Sequence, residues 1–413
     1  IKPLYYYNDK NYFLFSSEIK PLINFLKNKV TLNYSYDHSN LFEYFSSDET
    51  FFKDINRLEA GSNIIIKNDN LFFDKWWRTE ENLVSVSSNY NDRVDHLRGL
   101  FLESTKLRLR SDVEIACPVS GGLDSSCVAS SIKYIQGSNS NIELFSSYAK
   151  NSSTNEIHYA EILAKDLKLP LTKIDSSTPP SLSQIEREIF MTEEPSITMA
   201  TPMLELYKRI KSLGYSVILE GHGSDELFCG YDIDKSYIAR RPESLKSIYD
   251  FFLTVEGFNN QSSSYKFIKS ILLFIKSNLF YLKIQNTKNK ELKNKIDKLS
   301  KSSNIVGLNL ELYEYFHYTI LPSLLHNYDK YTMLNSLESR SPFLDHNFVT
   351  YVFSLNPEDK IRSGFTKKIL RDSMKGIVPE QILNRKDKIG WNAPNDIWFN
   401  KKLKNDLIRK YGN

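Results

Sequence analysis

The stretch Val119-Ser120-Gly121-Gly122-Leu123-Asp124-Ser125-Ser126 constrains this chain more than any other, because of what flanks it. Before it stands the strand-like run Val113-Glu114-Ile115-Ala116-Cys117. After it, Val128, Ile132 and Ile135 fall at i, i+4 and i+7 on one helical face. A strand that ends in a glycine loop and opens a helix aims several backbone N–H groups at one place, and the helix end adds partial positive charge there. An anion is the natural occupant. Gly121 and Gly122 permit positive φ and present no Cβ to a phosphate, while Ser120, Ser125 and Ser126 offer hydroxyl donors. No lysine follows the glycines, so this is not the Walker-type phosphate loop. Pro118 removes a ladder donor, which suits only the last position of the strand.

Downstream, strand and helix patterns alternate: strand 142–148, helix 155–167, strand 171–174, helices 181–190 and 201–213, strand 215–220. This order predicts an α/β fold, a parallel sheet with helices on both faces. Ligands of such sheets bind beyond the carboxyl ends of the strands. The 119–126 loop lies at one such end. At another lies Glu220-Gly221-His222-Gly223-Ser224-Asp225-Glu226, where two glycines allow close approach and two carboxylates stand beside them.

Residues 1–82 read as mainly β with a little helix. One hairpin is predicted over 4–15 around Asn8-Asp9-Lys10-Asn11, and a second over 64–73 around Asn68-Asp69, with a short helix at 18–26. Residues 83–91 are Ser/Asn-rich and are expected to link this part to a unit spanning 92–413, which opens on a helix at 92–107. A chain of 413 residues has room for two or three cores. The net charge of +4 is spread along the chain, which argues against nucleic acid or an anionic membrane as partner. The most apolar helical candidate, 267–284, is broken by Lys269, Lys276 and Lys283 and is expected to lie on the body of the protein. Residues 235–320 read as Lys-rich, solvated helices. Cys117, Cys127 and Cys229 have no partner spacing and are expected to be buried, reduced thiols of a cytoplasmic protein. The opening residues show no signal or transit pattern, and a start at Ile1 in mid-pattern leads to the expectation of a fragment.

Four blocks stand in order: SGGLDSS at 120–126, GHGSDELFCGY at 221–231, ESRSPFLDH at 338–346, and TKKILRDSMKGIVPE at 366–380 followed by RKDKIG at 385–390. The first resembles the pyrophosphate loop of the ATP-pyrophosphatase superfamily. Together they resemble the synthetase domain of glutamine-dependent asparagine synthetases. Residues 1–6 and 15–20 resemble the late part of a class II (Ntn) glutaminase domain. No cysteine precedes Cys117, so residues 1–82 alone lack the nucleophile of that domain.

The resemblance implies an adenine nucleotide α-hydrolase-like sheet behind a partial α+β domain, with ATP and Mg²⁺ as cofactors. It implies that Ser120, Gly121, Gly122, Asp124, Ser125 and Ser126 grip pyrophosphate, and that Val119, Ser147, Gly221 and Gly223 contact the nucleotide. Asp124 and Asp225 would hold the metal, and Lys367 would steady the phosphates. Arg340 and Arg371 have weaker claims and are equally well read as structural. The family's glutamate is replaced here by His222. A base role for His222, assisted by Asp329, is one expectation; a purely loop-shaping role is the other. The implied reaction is adenylation of the aspartate side chain and its conversion to asparagine. The alternative is a related amide synthetase of secondary-metabolite or surface-polysaccharide biosynthesis, acting on another carboxylate or amine. A non-catalytic remnant is disfavoured because Asp124, Asp225 and Lys367 are all present. Small-molecule substrates are expected, and homodimers occur in the family.

Overall fold

The computed structural model of the chain describes residues 2–33, 47–68, 70–193, 200–231, 290–386, 393–398 and 401–411. The first part is a small antiparallel sheet of β1 (Tyr5–Asn8), β2 (Phe13–Ser16) and β3 (Ile55–Arg57), in the order β2-β1-β3. The Asp9 carboxylate accepts from the N–H groups of Asn11 and Tyr12, both at 2.8 Å, which closes the predicted first hairpin. Helix Ile19–Leu26 buries Ile19, Leu22 and Leu26 against Tyr5 and Ile55, the i, i+3, i+7 face its sequence calls for. A second hairpin pairs β4 (Ser62–Lys67) with β5 (Asn70–Lys75).

One carboxylate ties this part to the rest. Glu193 accepts from the N–H of Ile19 at 3.2 Å and of Lys20 at 2.9 Å, so it caps helix Ile19–Leu26 from a distant segment. It also pairs with Lys330, and both side chains are buried. Lys2 pairs with Asp329, and the Tyr5 hydroxyl lies 3.4 Å from His326 Nδ1. His326, Asp329 and Lys330 all belong to helix Ile320–Leu334.

The main sheet has five parallel strands: β6 (Ile115–Pro118), β7 (Glu143–Tyr148), β8 (Leu171–Asp175), β9 (Val217–Leu219) and β10 (Glu338–Arg340), in the order β10-β9-β6-β7-β8. Its residues alternate between two cores, as a sheet covered on both faces must. Cys117, Leu144, Val217 and Leu219 join one core with Val128 and Ile132 of helix Leu123–Gln136, Leu163 of helix Ile157–Leu167, and Leu97 and Phe101 of helix Tyr90–Arg108. Ala116, Phe145 and Ile218 join the other with Met203, Leu206, Tyr207 and Ile210 of helix Thr201–Ser212 and Tyr331. Each fully buried aliphatic side chain contributes about 1.5–3 kcal/mol.

Within the described residues the predicted strands and helices are present within a few residues of their expected bounds, and Pro118 is the last residue of its strand. Three outcomes differ from expectation or fall outside it. Strand β10 was not anticipated: Glu338-Ser339-Arg340 has no apolar alternation because it is a three-residue strand at the sheet edge. Helix Leu308–His317 is a core helix, not a solvated one, with Leu308, Leu312 and Tyr313 buried. The expected helix at 267–284 lies outside the described residues. Among the described residues no helix is long and apolar enough to cross a membrane. Cys117, Cys127 and Cys229 are buried and stand in no disulfide among the described residues, and burial pushes the Cys117 and Cys127 thiols up.

Burial alone would raise the Glu193 carboxyl, but Lys330 and the two amides outweigh it and hold it below its ordinary range. Glu193→Ala strands the Lys330 ammonium and uncaps the helix, and is expected to lower stability by about 3–5 kcal/mol at neutral pH. A depressed folded-state value means that the contribution is full above the ordinary carboxylate range and is lost as the pH falls through the depressed value. Urea unfolding of both proteins should therefore show a gap that shrinks on acidification.

Candidate active site

Strand order changes direction beside β6: β7 and β8 lie on one side of it, β9 and β10 on the other. The loops after β6 and β9 therefore leave neighbouring strands at the same edge of the sheet, where doubly wound sheets hold their ligands.

After β6, the buried Val119 donates its N–H to Phe145 O at 2.7 Å. Ser120 and Ser125 brace the loop, with Oγ atoms 3.3 Å apart and Ser120 N–H donating to Ser125 Oγ at 3.2 Å. Gly121 has φ +80°, and a Cβ there would stand 2.5 Å from Tyr159 Cβ, so the loop lies directly against helix Ile157–Leu167. Gly122 begins helix Leu123–Gln136, and its N–H donates to Ser120 Oγ at 3.2 Å. Ser126 departs from expectation: its side chain is fully buried and offers no hydroxyl to a ligand, since a helix turns it toward the core.

After β9, Gly221 meets the start of that same helix. A Cβ on Gly221 would stand 2.9 Å from Ser125 N and from Asp124 C, so the two loops touch backbone to backbone. Gly223 packs on Leu344 and precedes helix Ser224–Phe228. Ser224 Oγ donates to Asp124 Oδ1 at 2.7 Å.

Lys367 closes the arrangement. Its Nζ lies 2.5 Å from Asp124 Oδ1 and 2.5 Å from Asp225 Oδ1. Its backbone N–H donates to Phe228 O at 3.1 Å. Burial alone would depress this ammonium, but the two carboxylates outweigh burial and hold it well above the usual lysine range. Gly230 lies against both Asp225 and Lys367, where any Cβ would overlap the carboxylate. A shallow cleft opens beside the loop, lined by Ser120, Ser147, Thr154, Glu156, Ser176 and Pro202 among others. Ser147 and Ser176, at the ends of β7 and β8, share a 2.7 Å hydroxyl contact on its wall.

The expected pairing of His222 with Asp329 is not formed. His222 Nε2 lies 3.5 Å from Glu220 Oε2, and its ring packs against Tyr328 with centroids 4.2 Å apart and the planes tilted by 49°. Asp329, one position further along the helix, is turned about 100° away and is taken by Lys2. Arg340 binds Glu338 and the carbonyls of Arg108 and Arg110, and Arg371 binds the carbonyls of Thr366 and Leu383; both are structural. Sequence reasoning gave no role to Glu220, Ser224 or Gly230. The signals were present: a charge closing the apolar run Val217-Ile218-Leu219, and a glycine five residues after Asp225.

A family model described as asparagine synthase matches residues 96–411, and a glutamine amidotransferase domain model matches residues 1–77. The glutamine-hydrolysing asparagine synthetase 1 of Bacillus subtilis (strain 168) is 26% identical over 99% of this chain and 66% of its own length. Asparagine synthetase 3 of the same organism is 24% identical, over 94% of this chain and 62% of its own. Amidase chyE of Penicillium rubens is 25% identical, over 96% of this chain and 67% of its own. The chain thus spans about two thirds of the length of these relatives.

Lys367→Met leaves two carboxylates facing each other. A loss of about 2–3 kcal/mol is expected at neutral pH, at the low end for a broken buried pair because both acids are partly exposed. Millimolar MgCl₂ should restore the melting temperature of this variant more than it raises that of the wild type.

Proposed function

We propose, from the premise that this chain belongs to the asparagine synthase family, that it forms an amide bond using ATP. In this reading a carboxylate oxygen of the substrate attacks the α-phosphorus of ATP, and pyrophosphate departs. Ammonia then attacks the acyl carbon, the bond to AMP breaks, and the nitrogen sheds a proton. The favoured carboxylate is the aspartate side chain, giving asparagine. Glutamine is the source of ammonia where a glutaminase nucleophile is present. The observation that carries the reading is the meeting of Asp124, Asp225 and Lys367 beside two glycine loops at neighbouring strand ends.

The roles follow from the chemistry. The N–H groups and hydroxyls of the 120–125 loop bind the leaving pyrophosphate at a helix N-terminus. Lys367 offsets the charge that gathers on phosphorus in the transition state. The cleft beside Ser147 takes the nucleoside. Among the described residues no group of three or more His, Cys, Asp or Glu side chains is arranged to hold a metal by itself. Two converging carboxylates are nevertheless what Mg²⁺ uses when phosphates complete its shell. Asp124 and Asp225 therefore fit it, and the ion would neutralise phosphate charge. His222 serves as base toward the attacking nitrogen. Buried reduced thiols agree with a cytoplasmic setting.

A second reading keeps the chemistry and changes the substrate: another carboxylate or amine. The amidase-named relative, aligned over 96% of this chain, favours it, as does His222 at the acceptor side.

Pyrophosphate release from ATP, with ammonium and Mg²⁺, is expected to depend on aspartate and to yield asparagine. Release that ignores aspartate but follows another carboxylate would establish the second reading; no release with any carboxylate would sink both. Lys367→Ala should lower the rate at least about 10²–10³-fold. Gly221→Ala should lower it about 10²-fold in a folded protein, because its methyl forces the two loops apart.

A further inference from the structure

Glu220 and His222 flank Gly221 at the end of β9. Glu220 is buried, and its oxygens are engaged within the protein. The Tyr207 hydroxyl donates to Oε1 at 2.6 Å, the Ser339 hydroxyl donates to Oε2 at 2.6 Å, and His222 Nε2 lies 3.5 Å from Oε2. Its backbone N–H donates to Arg340 O at 2.9 Å, which anchors it to β10. Buried and so engaged, this carboxylate is not presented to a substrate, and the charged partner it stands beside is the imidazole.

His222 is fixed from three directions. Nε2 is buried 3.5 Å from Glu220 Oε2, an ion-pair distance without hydrogen-bond geometry in this structure, Tyr328 packs against the ring at a 49° tilt, and Ser341 Oγ donates to the His222 carbonyl at 2.7 Å. The side chain is still 19% exposed and Nε2 is enclosed against Glu220, which leaves Nδ1 as the ring nitrogen clear of that carboxylate. The neighbouring Gly221 lies against the backbone of Asp124 and Ser125, which sets the 220–222 segment beside the phosphate loop.

We infer that Glu220 is a positioning residue that keeps the proton of His222 on Nε2, so that Nδ1 faces the acyl-adenylate as the proton acceptor for the attacking amine. This rests on the amide-forming reading above. As nitrogen attacks the acyl carbon, one N–H proton moves to Nδ1. The C–O bond to AMP breaks with its electron pair on the AMP oxygen, and the imidazolium returns the proton to solvent. Glu220 stabilises the imidazolium while it lasts, the part an orienting carboxylate plays behind any catalytic histidine. The electrostatics agree: burial opposes a charged imidazole, and Glu220 outweighs it, with smaller contributions from Glu226 and Asp225. The other titratable groups around the pair are Tyr328, Tyr207 and Tyr331, all neutral phenols. Asp329, bound to Lys2, takes no part.

The test is Glu220→Gln, with the two half-reactions read separately. Carboxylate-dependent exchange of labelled pyrophosphate into ATP should be unchanged. Amide formation from ammonium should fall about 10²-fold, and the acid limb of its pH profile should move to lower pH, because the histidine has lost its stabilising anion. If Glu220→Gln does not melt like the wild type, Tyr207→Phe and Ser339→Ala replace it. Each removes one hydrogen bond to the carboxylate and should show the same split at about 5-fold. Unchanged amide formation with an unmoved acid limb overturns the inference, as does an equal loss in both half-reactions. Wild-type protein that exchanges no pyrophosphate with any carboxylate would instead remove the ligase reading itself.

Discussion

One ammonium holds the site together. Lys367 reaches two carboxylates that stand in the first turns of two different helices, 2.5 Å from each. Without it, Asp124 and Asp225 would repel one another across a poorly solvated gap, and the loops after β6 and β9 would lose their reason to stay in contact. Much of the surrounding sequence serves that approach. Gly221 lets one loop lie on the backbone of the other, Gly230 leaves room for the Asp225 carboxylate and the lysine stem, and Ser224 spends its hydroxyl on Asp124. The lysine backbone is itself tied to Phe228 O, so the third partner is delivered by the main chain as well as by charge.

The sheet makes this meeting possible. A parallel sheet needs crossover helices, and the crossovers run to opposite sides of β6. That leaves the ends of β6 and β9 side by side, so that the loops leaving them meet. The two cores, one on each face, fix the strands rigidly enough for glycine contacts of 2.5–2.9 Å to a would-be Cβ to persist.

What was legible in the sequence, and what was not, divides along physical lines. The strand–loop–helix at 113–135, the alternation that follows it and the hairpin at Asp9 were readable because period and turn chemistry are local. The anion-binding character of 120–125 was readable for the same reason. Strand β10 was not, since a three-residue edge strand carries no periodicity. Ser126 looked like its neighbour Ser125, yet one helical step sends it into the core. The partner of His222 was sought 107 positions downstream, at Asp329, when it stood two residues upstream. Sequence order names the helix that approaches the histidine but not which of its faces arrives, and the facing residue is Tyr328.

Helix Ile320–Leu334 has one more property. On a single stretch it sets Tyr328 against the imidazole, Asp329 against Lys2, and Lys330 and His326 against Tyr5 of the small antiparallel sheet. A rod of about four turns of hydrogen-bonded backbone does not bend between adjacent residues. The placement of the amino-terminal sheet and the tilt of the histidine ring are therefore one mechanical variable. Any shift of that sheet against the body is felt at the ring without passing through the packed interior.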